Sequence, residues 1–173
     1  SGAAIECSVA PYNQVAQTLM APSKAAQLIL WTTPDQQLQS FRRLLEFEFV
    51  APQVIYEEAD HFARMVRNAA AKYENIFFMT WTFPPDRHWP LGLASKPGFG
   101  ASDILARANI RLADALADLA NVHLIDLGQL QSSYPKALHD PRLSIIGRMR
   151  FTPDFLKYVA EHIHPVIEAS IKP

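Results

Sequence analysis

Three arginines, Arg142, Arg148 and Arg150, lie within nine residues, just before the predicted last helix of the chain. Guanidinium groups form paired hydrogen bonds with carboxylates and phosphates, and the free amides at a helix N-terminus favour the same anions. The sequence therefore predicts that this cluster binds a small anionic ligand. The alternative is a solvated basic edge that pairs with acidic side chains of residues 154–161.

Two other clusters join a carboxylate to an imidazole, the groups used most often in acid–base catalysis. Asp86 and His88 flank Arg87 where a predicted strand enters a long loop, and His139 precedes Asp140 directly. Loop positions at strand ends often carry function in proteins of this architecture. We therefore take these two Asp–His pairs as the candidate catalytic groups, although the first is equally explained as a polar start to a loop.

Nucleophiles and metal ligands have weaker support. The Gly-x-Ser-x-Gly motif is absent, and Ser102 is interpreted as the N-cap of a helix. Cys7, the only cysteine, is predicted to lie within a strand and to be unreactive. His162 and His164 point to different sides of a helix, and the other histidines show no ligand spacing. We predict no metal site and no cofactor.

Short apolar runs alternate with amphipathic segments along the chain. The runs predict strands over residues 5–10, 25–33, 76–81 and 122–127. The amphipathic segments predict helices over residues 12–20, 38–49, 57–73, 102–119 and 153–167, the last with Thr152 as its N-cap and Pro153 at its first position. Residues 82–100 are predicted to form a long loop, and residues 128–149 are predicted to be irregular. This alternation is typical of an α/β fold, in which helices cover both faces of a parallel sheet.

Ligands of such sheets bind beyond the carboxyl ends of the strands. The residues that leave the predicted strands are therefore candidate ligand-binding residues, and they join the three arginines named above. They are Tyr12, Asn13, Thr33, Asp35, Thr82 and Arg87.

Composition limits the class of protein. With 173 residues, 49% of them hydrophobic, the chain is long and apolar enough for one domain with a core, which we expect to span residues 1–173. The 16 basic residues nearly balance 17 acidic ones, which disfavours a nucleic-acid partner. No apolar run is long enough to cross a membrane, and no secretion signal is present, so we expect a cytoplasmic location. Because the chain opens Ser-Gly-Ala-Ala without Met, we expect it to be cut from a longer polypeptide.

The order of the strands and three short segments resemble the SGNH-hydrolase-like amino-terminal domain of FkbH-like proteins over nearly the whole chain. The segments are residues 9–15 (Val-Ala-Pro-Tyr-Asn-Gln-Val), 140–143 (Asp-Pro-Arg-Leu) and 147–151 (Gly-Arg-Met-Arg-Phe). The resemblance implies a three-layer αβα, flavodoxin-like fold. In that family a phosphatase domain of the haloacid dehalogenase type follows this domain, and the full proteins load a glyceryl unit onto an acyl carrier protein in polyketide and related pathways. The resemblance therefore implies a carrier protein, or a phosphatase domain of the same polypeptide, as a partner.

The chain departs from active SGNH hydrolases in three places. The Gly-Asp-Ser motif that follows their first strand is absent, so the resemblance implies that the chain begins at what would be the second strand. Gly147 and Arg150 stand where those enzymes have the Asp and the His of an Asp-x-x-His motif, and a guanidinium cannot act as a base. Thr33, Pro34 and Asp35 replace their Gly-x-Asn-Asp block.

Three functional hypotheses follow. The first is a non-hydrolytic SGNH-like domain, which binds an anionic acyl, phosphoryl or carrier-protein-linked ligand in a cleft lined by Asp35, Asp86 and His88. The second is an esterase or acyltransferase with a rearranged triad, whose base is His88 or His139. The third is a structural docking module that packs against a neighbouring domain.

Overall fold

A computed structural model describes residues 8–10, 14–21, 25–85, 87, 89–143 and 149–171. Within these ranges the strands are β1 (Gln27–Leu30), β2 (Asn75–Met79) and β3 (Val122–Ile125). The helices are α1 (Val15–Met20), α2 (Pro34–Gln37), α3 (Gln39–Leu45), α4 (Pro52–Ala70), α5 (Leu91–Ala94), α6 (Ala101–Leu116), α7 (Leu127–Ser133) and α8 (Pro153–Ile171). None of the described helices combines the length and the apolar character needed to cross a membrane.

The three strands form a small parallel sheet in the order β1-β2-β3. Leu30 pairs with Phe78, and Phe78 pairs with Leu124. The prediction of an α/β fold with a parallel sheet is confirmed, and each of these strands is shorter than predicted. The predicted strand at residues 5–10 lies partly outside the described residues, and its described part, residues 8–10, is exposed and outside any strand.

Apolar clusters cover both faces of the sheet. Side chains alternate between the faces along a strand, so Phe78 and Met79 of β2 point to opposite sides. Phe78 belongs to the larger cluster, in which α4 and α6 contribute Phe62, Leu112 and other buried side chains. Met79 belongs to the smaller cluster, which is built mainly from α7 and α8. The central strand is therefore buried from both sides, which explains its continuous apolar sequence.

The helix boundaries show which local signals were reliable. Thr152 caps α8 as predicted, since its Oγ1 accepts from the Phe155 amide at 3.4 Å and Pro153 is the first helical residue. Ser102 is not an N-cap, because α6 begins one residue earlier with Gly100 in the cap position. The first part of the segment predicted to be irregular forms α7, which Asp126 caps by accepting from the Gln129 amide at 3.0 Å.

A distant carboxylate serves the N-terminus of α3. Glu58, on α4, accepts from the Ser40 amide at 3.0 Å and from the Ser40 hydroxyl at 2.7 Å. These bonds satisfy an amide that has no partner within its own helix. Glu58 thereby ties the segment after β1 to the long helix α4.

Candidate functional site

Hydrogen bonds join the three strand exits at the carboxyl edge of the sheet. The Trp81 indole N–H donates to Thr32 Oγ1 at 2.9 Å, which links the exits of β2 and β1. Gln131 Nε2 donates to Thr82 Oγ1 at 3.0 Å, which links the exit of β2 to α7. Thr82, a predicted ligand-binding residue, is therefore already bonded within the protein.

Asp35 and Arg150, both predicted ligand-binding residues, form a two-pronged ion pair. Arg150 Nη1 donates to Asp35 Oδ1 at 2.8 Å, and Nη2 donates to Oδ2 at 2.5 Å. The side chain of Asp35 is only 4% exposed and that of Arg150 only 19%. The pair ties the beginning of α8 to the exit of β1, and it neutralises the Arg150 charge that was predicted to attract a ligand.

His139 lies next to this ion pair. Its Nδ1 is 3.2 Å from the backbone carbonyl oxygen of Arg150. A carbonyl oxygen can only accept, so Nδ1 carries the proton in this bond, and in the neutral ring Nε2 is the nitrogen with a free lone pair. The adjacent Asp140 accepts through Oδ1 from the Arg142 amide at 2.8 Å. No hydrogen bond joins the side chains of His139 and Asp140, so in this structure it is the Arg150 carbonyl that contacts Nδ1 of the imidazole.

Thr33 carries a buried hydroxyl oxygen without a hydrogen-bond partner in the described part of the chain. Its carbonyl oxygen accepts from the Gln36 and Gln37 amides, both at 3.2 Å, at the start of α2. A buried polar atom without a partner needs an explanation, and a ligand that bonds to it is one. Thr33 therefore remains a candidate binding residue.

Two of the arginines predicted to bind a ligand have no acidic partner among the described residues. Arg87 and Arg142 are exposed, and their side chains make no ion pair with the residues that the structure describes. Other arginines are paired, as in the bond from Arg111 to Asp60, which lowers the pKa of the Asp60 carboxyl. Arg87 follows β2. Arg142 adjoins Leu143, whose carbonyl oxygen accepts from the Met149 amide at 3.2 Å, next to the Arg150 that pairs with Asp35. Both arginines therefore belong to segments at the carboxyl edge of the sheet.

Several predicted residues lie outside the described ranges. They are Cys7, Tyr12, Asn13, Asp86, His88 and Arg148. Within those ranges, no group of three or more His, Cys, Asp or Glu side chains is arranged to hold a metal ion.

Sequence reasoning missed an apolar cavity of about 240 Å³, which we call the aromatic cleft. The segment between α3 and α4 forms one wall, and the segment from residue 89 to α6 forms the other. It is lined by Leu44, Phe47, Glu48, Phe49, Val50, Pro52, Trp89, Pro90, Leu93, Gly98, Phe99 and Ile104. In a parallel sheet, α4 and α6 begin where β1 and β2 end, so the cleft lies at the carboxyl edge. The aromatic residues in both segments could have indicated this cleft. The sequence prediction instead placed residues 38–49 in a single helix, whereas α3 ends at Leu45 and leaves Phe47 and Phe49 free to line the cleft.

No family model matches the chain, and no characterised protein or solved structure is significantly similar to it. The geometry of the carboxyl edge is therefore the basis for inferring a function.

Proposed function

We propose that this chain is a non-hydrolytic ligand-binding domain of the SGNH-like, FkbH type. Its ligand is an anionic acyl or phosphoryl compound, free or linked to a carrier protein. The observation that carries the proposal is the presence of two exposed arginines, Arg87 and Arg142, unpaired within the described ranges, in segments at the carboxyl edge of a parallel sheet.

The strand order supports the flavodoxin-like part of the proposal. In the order 2-1-3-4-5, the last three strands are neighbours in the same sequence as along the chain. The order β1-β2-β3 fits these three strands. In that order the first strand lies beside the third, so it would pair with the outer edge of β1, which is unpaired among the described residues.

The bonds around α8 support the absence of hydrolysis. Active serine hydrolases orient the base histidine by a carboxylate that bonds to its second ring nitrogen. Here the corresponding nitrogen of His139 faces a backbone carbonyl oxygen, and the buried carboxylate of Asp35 is occupied by Arg150. Arg150, which stands where the resemblance expects the base histidine, is thus engaged in an ion pair with Asp35, and this supports a domain that does not hydrolyse its ligand.

The ligand chemistry follows from the unpaired charges. Guanidinium groups bind phosphates and carboxylates through charge-assisted hydrogen bonds, each of which contributes about 1.5–3 kcal/mol. The buried hydroxyl of Thr33 can supply a further hydrogen bond at the same edge. A ligand with a phosphate or carboxylate and a neighbouring hydroxyl or carbonyl group satisfies both features.

The proposal predicts that 3-phosphoglycerate binds to this domain. Arg87→Ala and Arg142→Ala should each weaken its binding at least about tenfold, because each removes one charge-assisted hydrogen bond. Arg64→Ala is the matched control, because Arg64 is exposed on α4 and makes no ion pair within the described residues. Isothermal titration calorimetry at low salt measures the three affinities, since screening weakens exposed charges.

Absence of binding at millimolar phosphoglycerate excludes the free ligand, and the same titration with a phosphopantetheinylated acyl carrier protein then tests the carrier-linked form. Failure of both ligands, or equal weakening by Arg64→Ala, contradicts the proposal. It would leave the docking-module hypothesis, which pull-down with the rest of the polypeptide examines.

An esterase is the second candidate, and His139 is the observation that favours it. Its Nε2 is the free nitrogen of the neutral ring and is chemically able to accept a proton. Turnover of a short-chain aryl ester that disappears in His139→Ala would support this activity. A flat progress curve from folded protein agrees with the non-hydrolytic proposal.

A further inference from the structure

The aromatic cleft exposes several large apolar side chains. Phe47, Phe49 and Phe99 are 66%, 89% and 46% exposed, and all three line the cleft. Leu93, also in its lining, is 40% exposed. Exposed apolar patches of this kind mark binding sites in folded proteins.

Phe47 is held in an unfavourable backbone conformation. Its φ of 62° lies in the left-handed region, which glycine adopts readily and bulky residues rarely do. The conformation stacks its ring on Trp89, with the ring centroids 5.2 Å apart and the planes 15° from parallel. The same conformation ends α3, since the Phe47 amide donates to the Leu44 carbonyl oxygen and the Glu48 amide to that of Arg43, both at 3.0 Å. The C-terminus of α3 therefore places this ring in one wall of the cleft.

The charges around the cleft are unequal. Among the described residues that line the cleft, Glu48 alone is acidic, and its carboxylate accepts from Arg43 Nε at 2.7 Å. Lys96 Nζ lies 6.0 Å from the centroid of the Phe99 ring and makes no ion pair within the described residues. The cleft therefore has an apolar interior and an unpaired positive charge beside one of its walls.

We propose that the aromatic cleft binds a medium-chain carboxylate, with its alkyl chain among the aromatic rings and its carboxylate towards Lys96. The volume of about 240 Å³ holds roughly eight heavy atoms at ~30 Å³ each. It is smaller than the 300–1,000 Å³ typical of sites for drug-sized molecules. The proposed contacts include neither Arg87 nor Arg142, so this proposal does not depend on the binding of phosphoglycerate.

Nitrogen-15 NMR of the three tryptophan indole groups tests this site directly, because only Trp89 lines the cleft. Sodium butanoate, hexanoate and octanoate are titrated into the whole chain. We expect saturable shifts of the Trp89 indole signal, while Trp31 and Trp81 serve as internal references. Affinity should rise about fourfold for each methylene group that the cleft buries.

Three variants, one of them a control, separate the contribution of the alkyl chain from that of the carboxylate charge. Leu93→Asp should abolish octanoate binding, whereas Ile110→Asp should not, since Ile110 is 59% exposed on α6 and outside the lining. Lys96→Ala should weaken octanoate about threefold, as expected for an exposed charge pair, and should leave octanamide binding unchanged.

Three results overturn the proposal. The first is an affinity that does not change with chain length, and the second is equal shifts of all three indole signals. The third is a Trp89 signal that moves on dilution of the protein alone, which assigns the cleft to self-association. Each of these is independent of whether phosphoglycerate binds.

Discussion

At the scale of single residues, the buried ion pair between Asp35 and Arg150 is a two-pronged contact at the carboxyl edge of the sheet. A nearly fully buried carboxylate is costly unless a charged and hydrogen-bonded partner compensates it. Arg150 provides two hydrogen bonds from one guanidinium, and its backbone carbonyl also positions His139. Arg150 thus holds both the Asp35 carboxylate and the His139 ring in place.

Removal of one partner should expose this cost. We expect Arg150→Ala to lower the free energy of unfolding by about 3–5 kcal/mol, because it leaves Asp35 buried without a compensating charge. Urea unfolding followed by circular dichroism measures the change.

Two controls make this result interpretable. Arg64→Ala, an exposed arginine on α4, should change stability by no more than about 0.5 kcal/mol. The double variant Asp35→Leu/Arg150→Met should recover much of the loss, since an apolar pair can replace a buried ion pair. A loss of less than about 1 kcal/mol for Arg150→Ala would contradict the burial of the pair.

At the scale of elements, the connection from α5 to α6 requires a glycine. A Cβ atom at Gly100 would overlap the backbone carbonyl oxygens of Leu93 and Ala94. The Asp103 carboxylate closes the same turn by accepting from Arg107 Nε at 2.9 Å and from the Gly98 amide at 2.8 Å. These bonds, with Arg107 the larger cause, lower the pKa of Asp103.

Gly100→Ala should therefore destabilise the protein by about 3 kcal/mol, since backbone atoms cannot move aside cheaply. Gly92→Ala is the matched control, because nothing lies within 4 Å of its added methyl group. Alanine also favours the helix α5, so this control should be neutral or slightly stabilising. Thermal unfolding of both variants measures the difference, and equal melting temperatures would show that the turn is not so tightly packed.

At the scale of the whole molecule, the sheet joins two apolar clusters. Phe155 on α8 lies at the centre of the smaller one, with ring centroids of Tyr134 and Phe151 each 5.2 Å away and that of Trp31 at 6.5 Å. Trp31 follows β1, so this cluster holds α8 against the segment that leaves the sheet. Because β2 contributes to both clusters, we expect them to unfold together.

Phe155→Ala should reduce the free energy of unfolding by about 3–5 kcal/mol, because it opens a cavity at a fully buried position. Phe49→Ala makes the same chemical change at an exposed position and should cost no more than about 0.5 kcal/mol. Tryptophan fluorescence and circular dichroism should give coincident urea transitions in all three proteins. Separate transitions would show that the α8 side unfolds on its own.

Local interactions determined what the sequence alone could establish. Apolar runs identified β1, β2 and β3, and the alternation of strands and helices indicated a parallel sheet. Thr152 and Pro153 marked the start of α8 because capping involves residues three positions apart. The carboxyl-edge rule selected Asp35, and the cluster of arginines before the last helix selected Arg150, in both cases without knowledge that the two side chains touch.

Tertiary packing decided the rest, because those contacts join residues that are far apart in the sequence. Asp35 and Arg150 are 115 positions apart, and nothing local to either indicates that they neutralise each other. Glycine is required at position 100 because carbonyl groups of another helix, α5, lie against it. The local sequence shows nothing of this contact, and it indicated Ser102 rather than Gly100 as the N-cap of α6. The aromatic cleft has the same origin, since its walls are two segments separated by the whole of α4 and β2, and only the packing of the sheet and its helices brings them together.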